Sequence, residues 1–135
     1  MSRFRILLAD PNASMLAMLT ELLGEEFEIV GAARTGADAL RHSSERQPDL
    51  ILLDVVLDDM NGIELGEQLL NRVPKAKIFY LSMHEGPALV DAAFAAGASG
   101  YVFKSQVSSD LLKAIKAVCQ GEEFNPLSKV GQEQA

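Results

Sequence analysis

The chain is poor in cysteine, histidine and basic residues, and it has no long uninterrupted apolar run. Of 135 residues one is cysteine, Cys119, and two are histidine, His42 and His84. A lone cysteine cannot form an internal disulfide, so a reducing, cytoplasmic setting is expected. Cys119 falls in a helical apolar pattern and reads as a small core residue. Twelve Lys and Arg stand against nineteen Asp and Glu, a net charge of -7. That balance argues against direct nucleic-acid binding by this chain, because phosphate contacts need a basic patch. It suits a domain that holds a cation or meets a protein. No apolar h-region precedes the first acid, so a signal peptide is not expected. No run is long enough to span a bilayer. The apolar share of 48%, with 10 glycines and 5 prolines, is that of one globular domain.

Strand and helix signals alternate along the chain. "FRILLA" (4–9) is a short apolar run that ends at Asp10 and Pro11, as a buried strand does. Met15, Leu16, Leu19, Leu22 and Leu23 follow at helical spacing, and Gly24 offers a stop. "FEIVGAA" (27–33) is a second strand candidate. A short helix marked by Ala37, Ala39 and Leu40 should end before Pro48. "DLILLDVVL" (49–57) is apolar on both faces, the pattern of a central strand in a parallel sheet. A helix over 62–73, a strand over 76–82 and a helix from Pro87 to Ala96 come next. "GYVF" (100–103) is a fifth strand. Ser108 or Ser109 should cap a last helix whose apolar face is Leu111, Leu112, Ile115 and Val118. From residue 122 the period is lost, which marks 122–135 as a tail or linker after a domain over 1–121. No internal repeat is present. Five strand–helix units imply a doubly wound parallel α/β sheet, whose chemistry collects at the carboxyl ends of the strands.

Four polar residues stand at those ends: Asp10, Asp54, Ser82 and Lys104. Each has a plain structural use. Asp10 could cap the first helix with Pro11 in its first turn, Asp54 could open a turn, Ser82 could satisfy a loop amide, and Lys104 could be solvated. Together they suit phosphoryl chemistry. An aspartate beside a cation site and a lysine is an activated carboxylate nucleophile. Positive charge neutralises the transferring oxygens. A neighbouring hydroxyl can bond the new group and turn chemistry into shape change.

The segments "ILLAD", "PDLILLDVVLDDMNGIEL", "KIFYLSMH" and "AGASGYVFKS" resemble the receiver domain of bacterial two-component response regulators, over Phe4 to Gly121. "LSMH" and "LLKAIKAVCQGEEFNP" are most similar to the nitrate-response type, whose receivers usually precede a helix-turn-helix domain. The sequence is then expected to be either a lone receiver or part of something longer. The resemblance implies a five-stranded flavodoxin-like (βα)5 fold with strand order 2-1-3-4-5. It implies phosphorylation on Asp54 by a sensor histidine kinase, with Ser82 as switch hydroxyl and Lys104 contacting the phosphoryl group. Tyr101 matches the aromatic that follows the switch, and could equally be a packing aromatic. Gly62 matches a glycine after the third strand's loop. Magnesium would be held by Asp10, Asp54 and the Val56 backbone carbonyl. Such a domain is a phosphoacceptor that catalyses its own phosphorylation at most, not an enzyme. It changes its surface around the fourth helix and fifth strand to control an output domain, a partner protein or a second copy of itself in a homodimer.

Two departures bear on that expectation. Receivers usually end strand one with two adjacent acids, and here the pair is Ala9-Asp10 or Asp10-Pro11. Taking Pro11 as the second position keeps the helix residues in register without an insertion. Proline has neither a side-chain ligand nor an amide hydrogen, so magnesium is expected to bind weakly. Asp58 stands where proline is common. It reads either as solvated loop or as a partial substitute for the lost ligand. His84, two residues after Ser82, falls where relatives tune dephosphorylation, or is a solvent-facing loop histidine; His42 reads as surface. The alternative function is a degenerate receiver, a phosphate-independent interaction module. A flavodoxin-like cofactor site is disfavoured, because "DPNASM" lacks the glycines and hydroxyls of a phosphate loop.

Overall fold

The computed structural model describes residues 3–127. Within it the alternating pattern becomes β1 (Arg5–Ala9), α1 (Ala13–Leu23), β2 (Glu28–Ala33), α2 (Gly36–Arg46), β3 (Leu50–Leu53), α3 (Gly62–Arg72), β4 (Lys77–Ser82), α4 (Pro87–Ala95), β5 (Gly100–Phe103) and α5 (Val107–Cys119). The five strands are parallel, in the order β2-β1-β3-β4-β5. The order reverses between β1 and β3, which makes their carboxyl ends the topological switch point.

Side chains alternate across the sheet and feed two apolar layers. Leu7, Ile51, Leu53, Ile78, Tyr80 and Tyr101 join Leu40, Leu65, Leu69 and Val90, drawn from α2, α3 and α4. Ile6, Leu8, Leu50, Leu52, Phe79, Leu81 and Val102 face Leu16, Leu19, Leu111 and Ile115 from α1 and α5. All four residues of β3 are buried. Each such aliphatic side chain stabilises by about 1.5–3 kcal/mol as an upper bound. A strand with that burial on both faces has no favourable place but the centre.

Three local expectations are corrected. The cap of α1 is Asn12, whose side chain accepts from the Met15 amide, so Asp10 is not the cap and Pro11 lies ahead of the helix. The third strand stops at Leu53 rather than Leu57. The Asp54 carboxylate accepts from the Val56 amide at 3.1 Å, and Gly62 N–H donates to the Val55 carbonyl at 2.6 Å. These bonds fold the backbone out of the sheet, while Val55 and Leu57 stay buried as loop anchors. The last helix begins at Val107, not at a serine cap. A 3-10 turn over Lys104–Gln106 runs directly into it, and the Ser109 hydroxyl instead donates back to Gln106. His42 is half-buried, with Nδ1 covered and lacking a hydrogen-bond partner.

The segment expected as a tail lies against the sheet as far as it is described. Gly121 has a φ of +89°, which turns the chain back after α5. Phe124 then forms a parallel bridge with Gly100. Residues 128–135 of the expected tail lie outside the described residues.

A Cβ added at Gly62 would press on the backbone carbonyls of Asp54 and Val55, within 2.6 Å of the latter. Backbone cannot yield as a flexible side chain can. Gly62→Ala is therefore expected to destabilise the domain by about 1–3 kcal/mol, read as a lower midpoint in urea denaturation.

Candidate functional site

The register of the sheet builds the site. Ala9 on β1 pairs with Leu53 on β3, so the next residues, Asp10 and Asp54, emerge side by side. Their backbones are held there: Asp10 N–H donates to the Ala33 carbonyl and Asp54 N–H to the Ala9 carbonyl, each at 3.0 Å. Ser82, the last residue of β4, pairs with Phe103 on β5, and Lys104 follows Phe103. The fold thus brings the four strand-end residues to one edge.

Lys104 Nζ lies 2.8 Å from Asp10 Oδ2 and 2.8 Å from Asp54 Oδ2. All three side chains are largely buried, with 13% of Lys104, 4% of Asp10 and 11% of Asp54 exposed. The other oxygens are bonded as well. Asp10 Oδ1 accepts from the Asn12 amide at 2.9 Å, and Asp54 Oδ1 accepts from the Val56 amide. Burial by itself lowers the pKa of Lys104, but hydrogen bonds and charge from Asp10 and Asp54 outweigh it and leave the ammonium above its ordinary value. Two buried acids share one buried cation.

Ser82 is fully buried, and its Oγ accepts from the His84 amide at 3.0 Å. The Tyr101 ring is buried inside the sheet edge and its hydroxyl donates to the His84 carbonyl at 2.8 Å. Burial raises the Tyr101 pKa, with the nearby Asp54 charge adding to it and the Ser82 hydroxyl opposing. Tyr101 therefore packs and also tethers the β4–α4 loop. The His84 side chain is exposed, and so is Met83, at 77%. Outside the ammonium a cavity of about 320 Å³ opens between Met15, Met83, Glu85, Lys104 and Ser105.

Pro11 adds no donor to the carboxylate pair, and its carbonyl accepts from Arg34 Nε at 3.2 Å. The two acids beyond Asp54 in the β3–α3 loop differ. Asp58 is exposed. Asp59 turns to the start of α2, where the Gly36 and Ala37 amides donate to it at 2.8 and 3.1 Å. Those two bonds hold its carboxyl below the usual range. Asp59 thus pins the loop carrying Val56 to a neighbouring helix, and its charge is not directed into the site. Sequence spacing could not show this, because the partners are backbone amides 22 and 23 residues away. The Glu85–Ser105 bond across the cavity mouth, at 2.9 Å, was equally hidden.

A hard cation would use the donors that now hold the ammonium. Among the described residues no group of three or more His, Cys, Asp or Glu could bind a metal. Magnesium, however, keeps several waters and is held by one or two carboxylates. Asp10 and Asp54 supply two such carboxylates side by side.

Comparison with known proteins agrees with this geometry. The family described as "Response regulator receiver domain" matches residues 6–116. The chain is 36% identical over 122 residues to the DNA-binding transcriptional activator DevR/DosR of Mycobacterium tuberculosis, covering 89% of this chain and 56% of that one. It is 35% identical over 99 residues to the transcriptional regulatory protein DegU of Brevibacillus brevis, covering 73% and 42%. The chain thus spans about half the length of these curated relatives. The crystal structure of a LuxR-family two-component response regulator from Aurantimonas sp. SI85-9A1 superposes with a TM-score of 0.89 at 30% identity, covering 98% of this chain and 99% of that one. No helix among the described residues is long and apolar enough to cross a membrane. With a match over most of its length and relatives of this identity, the chain belongs to the response regulator receiver domain family of two-component systems.

Proposed function

We propose that this domain is a phosphorylation-dependent switch in the cytoplasm that accepts a phosphoryl group on Asp54 from a sensor histidine kinase. The observation that carries the reading is Lys104 Nζ at 2.8 Å from both Asp54 and Asp10. In the transfer, an Asp54 carboxylate oxygen attacks phosphorus and forms an acyl phosphate. The bond from phosphorus to the donor's imidazole nitrogen breaks, and its electron pair stays with that nitrogen. Lys104 is already beside the oxygens where negative charge gathers. Bound magnesium, held by Asp10, Asp54 and the Val56 carbonyl, would supply further neutralisation. Ser82 then turns its hydroxyl to the phosphoryl oxygens, which draws on the His84 amide it now accepts from. The tether from Tyr101 to His84 carries that movement to β5 and α4, the surface offered to an output domain, a partner protein or a second copy. His84 stands at the mouth, where it can order the water that removes the phosphoryl group. The domain catalyses its own phosphorylation at most.

A second reading rests on Pro11 and on the closed state of the site. The ammonium already satisfies both acids and the Tyr101 hydroxyl already holds the loop, so the fold is complete without phosphate. On that reading the domain is a phosphate-independent interaction module.

Acetyl phosphate with magnesium separates the two. The switch reading expects a phosphoryl mass increment on the Asp54 peptide that is lost in Asp54→Ala. An unmodified peptide after prolonged incubation would leave the interaction module standing.

Pro11 sets the metal affinity on the switch reading. Magnesium titrated against a spectroscopic probe should half-saturate in the millimolar range or above, and Pro11→Asp should tighten binding on the order of tenfold by adding ligand charge. Asp58→Ala should weaken binding if Asp58 substitutes for the missing ligand. Saturation of the natural chain at sub-millimolar magnesium would contradict the weakened metal affinity assigned to Pro11.

The ammonium also couples the site to stability. Lys104 has a raised folded-state pKa. Its contribution is therefore full below the unfolded lysine value and is lost as pH rises past 10.5 through the folded value. Lys104→Met leaves two buried acids facing each other. It is expected to cost about 2–3 kcal/mol at pH 7. Denaturant midpoints across pH read both effects.

A further inference from the structure

β5 meets the carboxylate site at one end and the C-terminal segment along its outer edge. Phe124 N–H donates to the Ser99 carbonyl and Tyr101 N–H donates to the Phe124 carbonyl, each at 3.0 Å. The Phe124 side chain packs with the layer of α1 and α5, while Leu127 packs with the opposite layer. Pro126 between them is buried. The segment therefore straddles the sheet edge and closes part of an otherwise open strand. Its geometry is built into the chain: Gly121 makes the reversal at φ +89°, and Asn125 Oδ1 accepts from the Leu127 amide at 2.9 Å as a new helical turn begins.

One residue belongs to both the segment and the site. The amide of Tyr101 holds Phe124, its hydroxyl holds the His84 carbonyl beside Ser82, and its ring leans on Tyr80 and Phe103. Three positions further on, Lys104 bridges the two acids.

We propose that Glu122–Leu127 is a strap on β5 whose hold follows the state of the carboxylate site. The inference rests on Asp54 being the phosphoacceptor. A phosphoryl group gives Lys104 a further anchor and draws the Ser82 loop, with the Tyr101 hydroxyl, inward. Both ends of β5 are then held more firmly, so the strand and the strap open less often. Coupling of this kind is reciprocal: a looser strap weakens the phosphorylated state.

Amide hydrogen exchange in the 135-residue chain tests it, with and without acetyl phosphate and magnesium, and with Asp54 occupancy read by mass in the same samples. Exchange at the Phe124 amide should slow by about fivefold or more on phosphorylation. In Gly121→Ala, where a Cβ meets nothing within 4 Å and the cost lies in φ alone, Phe124 should exchange faster and the acyl phosphate should accumulate to a lower level. Occupied Asp54 with unchanged or faster exchange at Phe124 overturns the strap and leaves the phosphoacceptor reading intact. Absence of any phosphoryl group on Asp54 overturns that reading, and the strap's role with it.

Discussion

One ammonium between two carboxylates is the interaction on which the rest of the site depends. Parallel pairing of β1 and β3 forces Asp10 and Asp54 to emerge together, and the hydrophobic layers leave them little water. Two like charges 4 Å apart repel by about 4 kcal/mol at the effective dielectric near a protein surface. Lys104 removes that cost because β5 lies on the same side of β1 as β3 and ends level with Ser82. The arrangement is also poised. Negative charge added to Asp54 falls against a cation already in place, with a hydroxyl one strand away.

Around this bridge the backbone takes the stabilising role that other side chains do not. Asn12 and Val56 amides hold the second oxygen of each acid, so neither carboxylate can rotate freely. Asp59 ties the Val56 loop to α2, and Tyr101 ties the Ser82 loop to β5. The site is therefore preorganised by loops whose anchors lie outside it. Pro11 fits this scheme. It brings no polar side chain to the site, while Asn12 just beyond it caps α1 and its amide holds Asp10.

What could be read directly from sequence followed from local periodicity. "FRILLA" and "GYVF" are too short and too apolar for surface helices, and both form strands. The all-apolar Leu50–Leu53 run predicted a central strand because only burial on both faces uses such a run. Pro48 limited α2 as expected, with Gln47 taking a left-handed conformation at φ 48° just before it. Misreadings arose where the deciding partner is distant. Val55 and Leu57 continue an apolar pattern but are buried by a loop, because Asp54 and Gly62 redirect the backbone. Ser108 and Ser109 look like caps, yet the preceding 3-10 turn occupies the position a cap would fill. Phe124 shows no period because a single residue makes the pairing.

The sequence by itself determined the element types, the parallel class of the sheet and the residues standing at its carboxyl edge, since these rest on side-chain hydrophobicity and backbone preference within a few positions. Only the tertiary structure decided that Lys104 would span both acids and that Asp59 would face α2. It alone also laid Phe124 on β5. Each of those contacts joins groups 22 to 94 residues apart or more finely placed than spacing can specify. Their geometry is set by strand register and loop closure, which exist only once both apolar layers have packed.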